Sequence, residues 1–136
     1  MKRAWIALAV AGFFSAGVLF MMYATNRPEY REVNRARRPG SNESAVTYEI
    51  NPGPTVGFAY AVHLMTNREA SARKRGPEMW NSYQVEPSRV VWAGRDTLEV
   101  FVDNNRGSRW SIHEHGKRGV RVRTVWVEPG DSTNTP

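Results

Sequence analysis

Ala4 to Ala24 is an uncharged run of 21 residues, rich in apolar side chains, preceded by Lys2 and Arg3. As a helix it would measure about 31 Å at 1.5 Å per residue, close to the thickness of a bilayer's hydrocarbon core. Trp5 and Tyr23 lie near its ends, where amphipathic rings favour the membrane interface. The pattern predicts a transmembrane signal anchor over residues 1–24. A cleaved signal peptide is the rival reading. A cut after Ala24 puts Met22 where a small residue is needed, and a cut after Gly17 leaves Val18–Met22 facing water. Ala4, Ala7, Ala11 and Ser15 share one helix face, small enough for a second copy to approach, which is compatible with a homodimer.

After the apolar run the pattern is lost and then returns with a period of two. Residues 25–45 are polar and rich in Arg and Asn, and they read as a basic linker with a helical stretch around Glu29–Arg37. From Val46 onward, Val46, Tyr48 and Ile50 alternate with polar residues until Asn51-Pro52-Gly53-Pro54 forces a turn. Val56, Phe58, Tyr60, Val62 and Leu64 form one face of the next strand, backed by the small residues Gly57, Ala59 and Ala61 and by His63. Thr66–Pro77 reads as a long loop. Arg89–Trp92 and Thr97–Asp103 form a hairpin around Ala93-Gly94-Arg95-Asp96, with Leu98, Val100 and Val102 on one side. Arg109–Glu114 and Gly119–Glu128 suggest a final hairpin. The expected fold is mainly β: an N-terminal transmembrane helix, then a small antiparallel sheet or sandwich of five to six strands over residues 46–128. Residues 129–136 read as a disordered tail. Trp92, Trp110, Trp126, Phe58 and Phe101 are the expected large core residues.

Composition narrows the chemistry. The 136-residue chain has no cysteine, which excludes disulfides, zinc–thiolate sites and thiol nucleophiles. Of its net charge of +6, residues 1–40 carry +5 and residues 41–136 only +1. The excess flanks the apolar run, so membrane topology accounts for it better than nucleic acid, which is disfavoured. Arg27, Arg31, Arg35, Arg37 and Arg38 could rest on anionic lipid headgroups. They outnumber Lys2 and Arg3, but the N-terminal tail is very short and several of the arginines lie far from the membrane end. The expected placement is a single pass through a bacterial cytoplasmic membrane with an extracytoplasmic head.

Three segments carry a further resemblance: Gly53-Pro54-Thr55-Val56-Gly57-Phe58, then Val90-Val91-Trp92 with Asp96-Thr97-Leu98-Glu99-Val100, then Gly119-Val120-Arg121-Val122. Together, over about residues 50–127, they resemble an uncharacterised group of small bacterial β domains that follow a signal or membrane anchor. The cysteine often found at the first turn of that group is missing here. The resemblance implies an exported β domain and no activity.

Few residues suggest chemistry. His113 and His115 alternate around Glu114, so in a strand both imidazoles would leave one face and could share a metal ion if a third ligand came near. Arg121 and Arg123 share a face of the last strand, and Arg109 could join them as an interaction stripe for an acidic partner or lipid. Arg73-Lys74-Arg75 is a basic cluster in the long loop. The chain has no dinucleotide or phosphate-binding glycine fingerprint, and no cofactor is expected. These observations favour a membrane-anchored envelope protein that acts as a non-enzymatic protein-interaction or membrane-surface module. The alternatives are a metal-binding protein or enzyme using His113 and His115, and a cytoplasmic-facing protein whose basic linker meets lipid or nucleic acid.

Overall fold

The structure is a computed structural model that describes residues 2–25, 28–53, 57–103 and 112–128, with the side chains of the first helix described over residues 12–24. Arg27, residues 54–56, Arg109, Trp110 and residues 129–136 lie outside the described residues.

Helix α1 spans Lys2–Thr25. None of its described side chains belongs to the core cluster of the β domain. Its described apolar side chains are exposed: Phe13 is 84% accessible and Phe20 72%. No helix among the described residues is long and apolar enough to cross a membrane. Side chains of α1 are described only from Gly12, which leaves out the first eight residues of the uncharged run.

The chain then forms β1 (Glu29–Arg37), β2 (Glu43–Asn51) and β3 (Ala59–Thr66), followed by the short helix α2 (Asn67–Ser71). Strands β4 (Glu78–Tyr83), β5 (Pro87–Trp92), β6 (Thr97–Asp103), β7 (Ile112–Glu114) and β8 (Arg121–Val127) complete it. One sheet has the order β1-β2-β3-β4-β7, and the second has β5-β6-β8. Tyr60, Val62 and Leu64 of the first sheet share a core with Val90, Leu98, Val100 and Val102 of the second. Period-two patterning puts those residues on facing sides, as in a sandwich.

The mainly β class and the β5–β6 hairpin agree with the sequence pattern. Leu98, Val100 and Val102 are fully buried, and Gly94 takes the left-handed turn conformation at φ 86°. Several expectations fail. Among the described residues there are eight strands rather than five or six, and β6 pairs with β8 in parallel, from Thr97↔Arg121 to Asp103↔Val127. The expected last hairpin does not form: β7 joins β4 in the other sheet. The chain therefore crosses between sheets after β6, which gives β8 the excursion that a parallel pairing requires.

The expected linker is largely strand. Over Glu29–Arg37 the backbone pairs with β2 from Glu29↔Asn51 to Arg37↔Ser44, so the helical reading of this stretch is also corrected. As an edge strand β1 is mostly exposed, and a bulge at Val33 breaks its alternation. Its formation comes from β2's hydrogen-bonding edge rather than from an apolar period of its own. Strand β4 lacks a clean alternation for a similar reason. A bulge opposite Val62/His63 lets the successive residues Met79 and Trp80 both reach full burial. Trp80, not Trp92, is the largest fully buried side chain, while Phe58 is 47% exposed. Trp92 and Trp126 pack at the margin of the core.

The other face of the larger sheet is covered too. Val46, Ala61 and Met65 face away from the sandwich core yet are buried. The segment after α2 crosses over this face. Arg75 stacks on Tyr30 with its guanidinium carbon 3.6 Å from the ring centroid. The Gly76 carbonyl lies 2.8 Å from Nδ1 of His63. A carbonyl can only accept, so Nδ1 carries the proton and donates.

Candidate functional site

The residues singled out in the sequence do not assemble. His113 and His115 extend from β7 with their rings stacked at 6.5 Å between centroids and 15° between planes, both exposed. Glu78 places its Oε1 4.0 Å from Nε2 of His115, and it also accepts a hydrogen bond from Asn81. Glu114, between the two histidines in sequence, turns to accept the backbone N–H of Thr124 at 2.6 Å. No group of three or more metal-ligating side chains gathers among the described residues.

The arginine stripe forms, but acids line it. Arg121 reaches Asp96 at 3.3 Å and Arg123 pairs with Glu99, each across the parallel β6–β8 ladder. The arginines after the helix are likewise engaged within the domain. Arg31 pairs with Glu49 at 2.9 Å, Arg35 with Glu32 at 2.9 Å and Arg38 with Glu43. The hydrogen bonds that Arg35 donates to Glu32 raise its pKa above the ordinary value. Arg37 has no such partner among the described residues.

A concentration of charge appears instead where the connections meet at one end of the sandwich. The β1–β2 turn is tied to α2 by the Asn67 N–H donating to the Asn42 carbonyl at 3.3 Å. It is tied to the β5–β6 turn by Arg38, whose Nε donates to the Arg95 carbonyl while its guanidinium lies 5.4 Å from the centre of the Trp92 ring. Trp92 in turn donates from Nε1 to the Ala36 carbonyl at 3.0 Å. The start of β8 joins through the Arg121 N–H, which donates to the Asp96 carbonyl at 2.7 Å.

Glu69 closes the group. It accepts from Thr66 in a capping box at the start of α2 and from both terminal nitrogens of Arg118. Arg118 first, then the Thr66 backbone, holds the Glu69 carboxyl down to about 2, against an ordinary 4.5. Arg118 is raised in return.

Three acids thus stand among these turns, Glu43, Glu69 and Asp96, and arginines Arg38, Arg118 and Arg121 engage all three. Nine Lys and Arg residues occupy the same connections, residues 37–43, 67–74, 93–96 and 117–121. The surplus is invisible in the linear charge count, because each turn contributes only one to three cations. Sequence reading picked out Arg37 and the Arg73–Arg75 cluster but not Arg68, Arg95 or Lys117. Finding them required knowing which turns share an end.

The opposite face of the larger sheet carries an aromatic cluster. Tyr48 packs edge-on against Tyr30 and His63, with centroids 6.2 and 5.6 Å away, and its hydroxyl lies 3.1 Å from Sδ of Met65. Burial pushes the Tyr48 phenol up from its ordinary range. Rings packed against one another beneath a covering segment act as structure. No family model, curated protein or solved structure matches this chain, so the resemblance to anchored bacterial β domains gains no support from them.

Proposed function

We propose that the protein is a single-pass membrane protein of the bacterial envelope whose β domain is a non-enzymatic interaction module. The observation that carries this reading is α1. Its described large apolar side chains are exposed, and none belongs to the core cluster of the β domain. Leaving one large apolar side chain in water costs about 1.5–3 kcal/mol relative to burial, and α1 exposes a series of them. A bilayer would remove that cost. The uncharged run from Ala4 to Ala24 and the 24-residue helix that contains it both have the length this needs.

The head would face the extracytoplasmic side. That orientation rests on the engagement of Arg31, Arg35 and Arg38 with acids of the domain, which weakens their weight as topological signals. Interaction is favoured over catalysis because the charged groups that come together are arginine–carboxylate pairs and surface cations. Carbonate extraction of membranes and N-terminal sequencing test the proposal. The intact chain should stay in the membrane pellet. A stable soluble product beginning near Thr25 would overturn the anchor, and protection of the head from protease in intact spheroplasts would overturn the orientation.

A further inference from the structure

Six cations at the turn-bearing end of the sandwich have no acidic partner among the described residues: Arg37, Arg68, Arg73, Lys74, Arg95 and Lys117. The acids that could have neutralised them are engaged by Arg38, Arg118 and Arg121. The Arg95 guanidinium lies over Gly40, 3.7 Å from where a Cβ would stand, so charge from the second sheet is laid against the β1–β2 turn. Hydrogen bonds hold the four connections to one another, which fixes the cations as one surface rather than as separate loops.

We propose that this end of the domain docks on the surface of an anionic phospholipid bilayer. The choice of lipid rests on the membrane reading of α1; the surplus of positive charge does not. Among the described residues, none of the exposed large apolar side chains lies at this end. A stable protein interface usually has an apolar or aromatic centre, and single-stranded nucleic acid is gripped by aromatic stacking. A headgroup layer needs neither, because it is recognised by charge spread over an area. Chain length permits the contact. Only residues 26–28 separate α1 from β1, and Arg37 lies eight residues beyond Glu29, about 26 Å along a strand. A sandwich tipped so that its strands lie nearly along the bilayer keeps the helix exit at the surface and sets the rim of the basic end, rather than the whole end, against the headgroups. The close tether also keeps the effective concentration of headgroups high.

The test uses the full chain in lipid nanodiscs. The protein has no cysteine, so Asn42→Cys, an exposed site on the β1–β2 turn, takes a single fluorophore. Discs are made with phosphatidylcholine alone or with added phosphatidylglycerol, each with a headgroup-attached quencher. Quenching is expected in the phosphatidylglycerol discs and should be relieved by salt. The combined variant Arg37→Ser/Arg95→Ser/Lys117→Ser should lower the docked-to-undocked ratio about 100-fold, given roughly fivefold per basic residue at an anionic surface. Arg89→Gln, which removes a cation on β5, should leave the ratio unchanged. Equal signals in both kinds of disc overturn the docking, as does quenching that ignores salt and the triple variant. A label that responds to inorganic polyphosphate but not to phosphatidylglycerol overturns the lipid as partner. Failure of the chain to co-elute with the discs overturns the anchor and the lipid assignment with it, whereas co-elution without a headgroup-dependent signal overturns only the docking.

Discussion

Arg118 sets its two terminal guanidinium nitrogens against the two carboxylate oxygens of Glu69, at 2.6 and 3.1 Å, 49 residues apart in the chain. The same carboxylate caps α2 through the backbone N–H of Thr66 at 2.8 Å. One side chain therefore joins a helix start to the turn that leads into β8, and it does so only while ionised.

That gives a pH dependence of defined sign. The folded carboxyl titrates at about 2 and the unfolded one near 4.5, so its contribution is fully present above 4.5 and is lost as pH falls toward 2. Because the pair is partly open to solvent, the effect should be on the order of 1 kcal/mol rather than the full value implied by the displacement. Unfolding free energies from urea titration of wild type and Glu69→Gln should differ by that amount at pH 6 and converge near pH 2. A difference that stays constant from pH 2 to 6 would show that the carboxyl is not held ionised by Arg118.

Trp80→Ala should destabilise the domain by about 3–5 kcal/mol, the usual range for truncating a fully buried large aromatic. Its ring is wholly buried and its Nε1 donates to the Thr124 hydroxyl at 3.1 Å, linking the two sheets. Trp92→Ala should cost less, about 2 kcal/mol, because that ring is only partly buried. Denaturation midpoints that rank the two in the opposite order would move the centre of the core toward the β5–β6 hairpin.

The contrast between those tryptophans shows where sequence reading stops. The β5–β6 hairpin was readable because alternation, a glycine turn and short range all agree there. Trp80 was not, because the bulge beside it puts two consecutive residues inside. Strand β1 was not, because its partner rather than its pattern decides it. The parallel β6–β8 pair depends on a crossover that no local signal marks. The basic end was hidden for the same reason: Arg37, Arg95 and Lys117 are far apart in sequence and share a surface only through topology.

Gly76→Ala should destabilise the domain by about 3 kcal/mol or more, at or beyond the upper end of ordinary overpacking. A Cβ at this position would lie 1.8 Å from the Leu64 carbonyl oxygen, a backbone atom of central strand β3. The covering segment must then lift, breaking the Leu64 N–H bond to Pro77 and the His63 contact to Gly76. Limited trypsin digestion reads this directly: cleavage at Arg73, Lys74 and Arg75 should accelerate in the variant. Unchanged cleavage and an unchanged midpoint would mean that the segment does not lie against β3.

A fragment of residues 28–128 should outlast one of residues 45–129 by about 10 °C or more in thermal unfolding, since 1 kcal/mol corresponds to roughly 4–8 °C at this size. The shorter fragment loses β1, and with it the packing of Ala36 on the core and the acceptor of the Trp92 indole. It also exposes the hydrogen-bonding edge of β2, which invites association. Equal melting temperatures would return β1 to the role of a tether.

His113 and His115 should not form a tight metal site. Two imidazoles bound to one zinc ion need their nitrogens about 2.0–2.1 Å from it, with lone pairs converging. Here the rings lie nearly parallel, 6.5 Å apart, so their lone pairs run side by side. The nearby acids are engaged as well: Glu114 holds the Thr124 N–H, and Glu78 accepts from Asn81. Forming a site would require turning both rings and releasing one of those carboxylates, and the exposed end of a three-residue strand offers little second-shell support for the new arrangement. Calorimetry of the full chain in detergent with zinc, nickel and copper should show binding weaker than micromolar, the same in a His113→Ala/His115→Ala variant. Submicromolar one-to-one binding that the variant loses would overturn this and make metal binding the leading account of the domain.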